Sequence, residues 1–420
     1  MSIKMNTLLV AVGAAVLGCA FANQPVTDAP PVSATPVDTT PADSPIGMED
    51  AKKLAQSNSL FAIDLTKAIS ESQRGNWTLS PFSIATALQM VYEGSAGQTM
   101  SQIGKTLHLP AGSDGTVQGV GSLLQVMNRA GKGFTLNTAN GAFAQEGYRF
   151  LPEYISRLNQ YFGAEVTNVD FSDEPTALRI INGFVDQKTQ GMIPEIIDST
   201  SADLRMVLVN AIYLNADWAS PFDSGATIDL PFNMENGQKK SVPTMNKAER
   251  IDYFKGPNFQ SITLPYVQQG DSKFAMVVML PNEGTSVGDM VSSLTVDQWL
   301  GTGSQPREVE LFLPKFKIEW GEELNPVLRS LGMNDAFVPN VADLSRMDGT
   351  RDLFVSFVKH KAVVQVDEKG TEAAAATAVG IRATSIPMDQ VMMKFDRPFA
   401  FSIVDQQTGL ILFTGVVRQP

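Results

Sequence analysis

From Met48 onward apolar residues recur at helical spacing, and Leu54, Phe61, Leu65 and Ala68 mark one face of a first helix. Leu79-Ser80-Pro81 predicts the start of a second, with Ser80 as cap and Pro81 in the first turn, where its missing N–H costs nothing. Ile84, Leu88 and Val91 form the buried face of that helix. A third stripe, Ala177, Ile180, Ile181 and Phe184, predicts a helix over 176–191 that stops at Gly191. Later the period changes. Residues 207–214, 274–280 and 410–417 are continuous apolar runs, as expected of strands covered on both faces, while Val309, Leu311 and Leu313 alternate with polar Glu310. At about 150 residues per domain the length would give two or three units. There is no internal repeat and no linker in mid-chain, so helices followed by strands predict one large α+β domain over 48–420.

Upstream the pattern is different. Lys4 precedes an apolar run at 8–18, and Ala20-Phe21-Ala22 has the small-x-small form of a cleavage site. Residues 1–22 therefore read as a signal peptide, and the protein as exported to an extracellular or periplasmic location. Val16-Leu17-Gly18-Cys19 supports a competing reading, a lipoprotein signal ending before Cys19, with Cys19 as the point of lipid attachment. Leu17 is a poor match to the small residue usual there. The run is shorter than the roughly 20 residues that span a bilayer, so no integral membrane domain is expected. Residues 23–47, rich in Pro, Thr, Ser and Asp and without a base, read as a solvated tether that cannot bury enough apolar surface to offset its ordering entropy.

Hydrophobic residues at 43% and charged residues at 18% allow a sizeable core and exclude a wholly disordered chain. The net charge of -12, with no Lys/Arg-rich run, argues against nucleic acid or a heparin-type activator as partner. Cys19 is the one cysteine, and His108 and His360 are the only histidines. An internal disulfide framework, a cysteine zinc site and a histidine-rich metal site are thereby excluded, and no cofactor is expected. A serine hydrolase would need a serine activated by a placed histidine, yet no G-x-S-x-G occurs, so an enzyme is disfavoured.

Two features stand apart from a packed core. Asn210 interrupts an apolar strand, and a buried amide without partners costs on the order of 1 to 3 kcal/mol, so something polar must meet it. The second is the stretch 367–380, whose alanines favour helix while the flanking Gly, Thr and Val do not. Taken alone it would be a flexible alanine-rich loop or a short surface helix.

Five motifs follow one another along the chain. They are Asn76-Trp77-Thr78-Leu79-Ser80-Pro81-Phe82-Ser83-Ile84; Val209-Asn210-Ala211-Ile212-Tyr213 with Trp218 and Pro221-Phe222; Leu313-Pro314-Lys315-Phe316; His360-Lys361-Ala362-Val363 with Asp367-Glu368-Lys369-Gly370-Thr371-Glu372-Ala373-Ala374; and Asp396-Arg397-Pro398-Phe399. In this order, and over nearly all of residues 50–420, they resemble the serpin family. Ala400 departs from the family's C-terminal signature, which prefers a larger apolar residue there.

The resemblance implies a large central β-sheet, further β-sheets, a helical cluster and an exposed C-terminal reactive loop on a metastable fold. It implies a suicide inhibitor: a protease attacks the loop, forms an acyl-enzyme, and is trapped as the cleaved loop inserts into the central sheet. The hinge of that loop would be Glu368, Gly370, Thr371, Glu372, Ala373, Ala374, Ala375 and Ala376. Strand residues face alternate sides, so Thr371, Ala373, Ala375, Thr377 and Val379 would turn into the sheet and Glu372 away from it. All five are small or modest in size and uncharged, which favours an inhibitor over a carrier or chaperone-like serpin, the alternative. Ser80, Ser83, Asn210 and His360 would form a hydrogen-bonded cluster where the central strands part, with Trp218 and Lys315 at the top of the sheet and Glu368 as the partner of Lys315. His108 has no such context. By the family's usual spacing the scissile bond is Thr384-Ser385, Thr384 being the seventeenth residue from Glu368, with Arg382 as rival. Small Thr384 points to elastase-like, subtilisin-like or papain-like endopeptidases, and Arg382 would point to trypsin-like ones. The expected inhibitor is a monomer.

Overall fold

The structure is a computed structural model, which describes residues 47–110, 114–128, 133–164, 166–268, 273–371 and 390–420. These all lie in one unit, Pro41–Pro420. The helices of the first half are α1 (Met48–Ser72), α2 (Pro81–Gly94), α3 (Gly97–Thr106), α4 (Asp114–Asn128), α5 (Pro152–Arg157) and α6 (Glu174–Lys188). The strands are β1 (Trp77–Leu79), β2 (Phe134–Gln145), β3 (Val166–Val169), β4 (Met206–Asp217), β5 (Ile228–Asn233), β6 (Lys239–Lys255), β7 (Phe259–Pro265) and β8 (Phe274–Pro281). They continue with β9 (Gln305–Pro314), β10 (Phe316–Glu323), β11 (Phe357–Val366), β12 (Gly370–Thr371), β13 (Val391–Lys394), β14 (Phe399–Asp405) and β15 (Leu410–Val417). Helices and strands are thus interleaved, where the sequence pattern predicts helices first and strands after.

The local signals act as expected. Ser80 caps α2 by accepting the Ser83 N–H, with Pro81 at the first position. In α1 Leu54, Phe61 and Leu65 are buried, but Ala68 is only half-buried and Ile69 takes the inward place. The stripe of α6 starts at an Asp173 cap and ends at Lys188, three residues before Gly191, whose positive φ of 82° then turns the chain. The three apolar runs lie in β4, β8 and β15, and Val309, Leu311 and Leu313 in β9 point inward.

Two sheets result. One has nine strands in the order β1-β15-β14-β8-β7-β6-β9-β13, with β5 on β6. The other has six, ordered β10-β11-β12-β4-β2-β3, and carries the site. Its central strand β4 is covered on both faces. Leu208, Ile212 and Leu214 belong to the main core, while Val207, Val209 and Ala211 pack with Ala177, Ile181 and Val185 of α6. Period-two alternation between two apolar layers is why residues 207–214 read as an unbroken hydrophobic run.

Candidate functional site

β4 and β11 run parallel and are paired from Phe357↔Val207 to Val363↔Tyr213. Above that they part. The chain turns back through Asp367–Gly370, where the Asp367 N–H donates to the Gly370 carbonyl at 3.0 Å, and β12 fills the gap: Thr371 pairs with Val366 on one side and Ala216 on the other. The loop expected to be exposed therefore begins inside the sheet, and Thr371 is fully buried. Glu372, Ala373, Ala374, Ala375, Ala376, Arg382, Thr384 and Ser385 lie outside the described residues.

Gly370 stands at a rung that admits no side chain. A Cβ there would lie 2.0 Å from the backbone oxygen of Ala216, so even alanine collides with main chain. Thr371 turns inward, where its hydroxyl meets that of Tyr266 at 2.6 Å. Tyr266 stacks on Trp218 with ring centroids 4.6 Å apart and planes at 5°, and Phe134 meets its edge at 6.2 Å. Trp218 ties this aromatic group to the turn, its indole N–H donating to the Asp367 carbonyl at 3.0 Å and its backbone N–H to that of Lys369 at 2.7 Å. Lys315, just after β9, donates to Glu368 at 2.8 Å, and the Thr227 hydroxyl donates to the other carboxylate oxygen at 2.7 Å. Partial burial pushes the Glu368 carboxyl up, but the hydrogen bonds from Lys315 and Thr227 outweigh it and hold it below the usual range.

Just below the parting, three strands in register bring together Asn140 of β2, Asn210 of β4 and His360 of β11. The N-terminus of α2 supplies Ser80 and Ser83. The Ser80 backbone N–H donates to His360 Nε2 at 3.1 Å, so the ring carries its proton on Nδ1 and donates it to the Asn210 side-chain oxygen. Asn210 in turn donates to Ser83 Oγ and to the Asn140 side-chain oxygen, and the Ser80 hydroxyl donates to the Leu412 carbonyl at 2.6 Å. The polar partner that Asn210 demands is this closed network, in which each side chain is satisfied.

Burial drives the His360 pKa down to about 3, only partly opposed by the hydrogen bond to Asn210. A second proton would also set Nε2–H against the Ser80 N–H. The unfolded chain binds that proton near the ordinary value of 6.5, so stability from neutral His360 is full above pH 6.5 and falls as pH drops toward 3. We expect a loss of roughly 1 kcal/mol per pH unit in this window. Denaturant titrations at pH 6.5 and 5.5 should show it in the uncleaved protein, and His360→Gln should flatten the slope; an unchanged slope in that variant would assign the pH dependence elsewhere.

Asn140, Thr227 and Tyr266 were not legible from the sequence. No local pattern marks any of them, and the partner of each lies tens to hundreds of positions away. His108 is bonded to Asp64 at 2.7 Å on the surface and takes no part in this network. Among the described residues no histidine addresses a serine hydroxyl in the manner of a hydrolase: His360 meets the backbone N–H of Ser80.

The sheet is thus closed below and parted above, with Gly370 and Thr371 seated between β4 and β11. The family profile described as "Serpin (serine protease inhibitor)" matches residues 56–420. The chain belongs to the serpin family, a family of protease inhibitors. It is 36% identical to leukocyte elastase inhibitor of Homo sapiens over 388 residues, covering 88% of this chain and 100% of that protein, and 37% identical to that of Sus scrofa over 390 residues with the same coverage. Among solved structures it is similar to the thermophilic serpin tengpin in the native state, with TM-score 0.80, 29% identity and coverage of 87% and 93%. It is also similar to thyroxine-binding globulin in complex with thyroxine, with TM-score 0.78, 28% identity and coverage of 88% and 99%.

These relatives correct one expectation. The leukocyte elastase inhibitors are matched from end to end while part of this chain is left over, and they point away from an exported protein. Export to an extracellular or periplasmic location, and anchoring through Cys19, are therefore withdrawn. The leader-like pattern was read from Lys4, the apolar run at 8–18 and the small-x-small form of Ala20-Phe21-Ala22, and none of these tests where a folded protein acts.

Proposed function

We propose that this chain is a suicide inhibitor of serine endopeptidases, which it traps as acyl-enzymes by inserting its cleaved loop between β4 and β11. One observation carries the reading: the hinge residue Thr371 is already seated in the gap between these strands, paired with Ala216 and Val366. Continuing that strand downward means separating the paired residues below, from Val363↔Tyr213 to Phe357↔Val207. In this reading Ser80, Ser83, Asn140, Asn210 and His360 hold the closed half of the sheet until the loop arrives. Lys315, Thr227 and Glu368 restrain its open end. The small residues of the hinge, Thr371 through Val379 on alternate positions, are what such a strand requires.

Elastase inhibitors among the relatives favour a target that accepts a small residue before the cut. Thr384-Ser385 is then the scissile bond. Mass spectrometry of the fragment released by the target should give Ser385 as its first residue; Ala383 there would move the cut to Arg382 and the target to trypsin-like enzymes. The fold likeness to thyroxine-binding globulin raises a carrier as the alternative, and a carrier has no need to trap what cuts it.

Loop cleavage itself tests the reading. Nicking the loop with a protease that escapes should raise the unfolding midpoint by about 5 °C or more, because a fully paired extra strand adds several kcal/mol. A nicked chain that melts where the intact chain does has not inserted its loop, and the proposal fails.

A further inference from the structure

We propose that Tyr266 is a positioning residue that fixes the register in which the loop joins the sheet; the assignment rests on the trapping reading above. Register matters because a slip of one residue sends every side chain of a strand to the opposite face. Here a slip would turn Glu372 toward the core and Thr371 toward solvent. Two contacts oppose it. The Ala216 carbonyl leaves no room for a Cβ at Gly370, so a slipped strand would bring Lys369 or Thr371 against backbone. That contact only forbids. The attractive contact is the buried hydroxyl pair of Tyr266 and Thr371 at 2.6 Å.

Tyr266 is completely buried, and burial pushes its phenol far above the ordinary value, so it is a neutral hydroxyl that needs a partner. Thr371 is its hydrogen-bond partner among the described residues. Trp218 against its face and Phe134 at its edge hold the ring, so the hydroxyl waits at a fixed height in the gap. Trp218 is itself bonded to the turn that delivers Thr371. The consequence is that the first step of insertion is taken before any protease cuts, in a register that sends uncharged side chains inward.

The test is a double-mutant cycle. Tyr266→Phe keeps the ring and strands the Thr371 hydroxyl, Thr371→Val strands the Tyr266 hydroxyl, and the double variant removes both polar groups at nearly constant volume. A lone buried partner is costly whereas an apolar pair is nearly neutral, so each single variant should raise the moles of inhibitor consumed per mole of protease about threefold or more, and the double variant should return to within about twofold of wild type. A double variant as poor as the two losses multiplied would show packing alone and overturn the proposal. Backbone hydrogen exchange over 366–371 in the uncut protein reads the docked strand without a protease. Protection in wild type, loss in each single variant and recovery in the double support the assignment; a wild-type Thr371 amide that exchanges as freely as an unfolded peptide overturns it. Should exchange follow this pattern while no serine protease is trapped, the inhibitor reading fails and the role of Tyr266 in docking the hinge stands.

Discussion

Arginine in place of Thr371 is expected to turn the protein from an inhibitor into a substrate. Thr371 has no exposed surface, and its inward space is filled by Tyr266, which lies against Trp218 and Phe134. An arginine there must either bury a guanidinium among aromatic rings, at a cost of several kcal/mol, or stay outside and leave the strand undocked. Trapping is a race between insertion and hydrolysis of the acyl-enzyme, and about 1.4 kcal/mol on the insertion barrier is a factor of ten in that race. We therefore expect the moles of inhibitor consumed per mole of protease to rise at least about tenfold, with the cut chain released intact at its new ends. Thr371→Ser, which keeps a small hydroxyl for Tyr266, should remain an inhibitor. Titration of protease activity against each variant decides it, and unchanged stoichiometry in Thr371→Arg would remove strand insertion from the mechanism.

Reversing the charge at Glu368 is expected to open the same gap without a protease. The Glu368 side chain is 12% exposed and that of Lys315 38%, and a second bond from Thr227 holds the carboxylate. With Lys315 partly in solvent, the pair contributes of order 1 kcal/mol at equilibrium. The trapping reading requires a metastable fold, and in such a fold this change acts mainly on the rate of opening. Glu368→Lys sets two ammonium groups against each other, strands the Thr227 hydroxyl, and leaves β4 and β11 edges able to pair with the loop of another molecule. On mild warming this variant should form polymers several times sooner than wild type, and adding Lys315→Glu should restore much of the monomer. Size-exclusion profiles after identical incubation measure it; equal polymer yields in wild type and Glu368→Lys would refute the restraint.

Much of the site was legible because some of its signals are local. Ser80-Pro81 announces a capped helix within four residues, and the run at 207–214 announces a strand covered twice. Asn210 announces a buried polar cluster because an amide there has to be satisfied. The membership of that cluster was another matter. His360 came only with the family resemblance, and Asn140 did not come at all, since nothing near it in sequence shows that β2 lies beside β4 in that register. Tyr266 was hidden for the same reason: it lies just after β7, and its hydroxyl meets a residue 105 positions later. The seating of Gly370 and Thr371 depends on where β4 and β11 stop pairing, which is a property of the whole sheet. A loop that the family resemblance implies to be exposed thus begins in the core.

The central claim is that this chain captures the protease that cuts it. Mixing the purified protein with an elastase-like serine protease, boiling in detergent and separating the products by size tests it most directly. The account predicts a band whose mass is the sum of the two proteins less the C-terminal fragment beginning at Ser385, and it predicts that Thr371→Arg abolishes the band. If serine proteases of elastase, subtilisin and trypsin type all leave a cleaved chain with no such band, the chain does not trap them and the account is wrong.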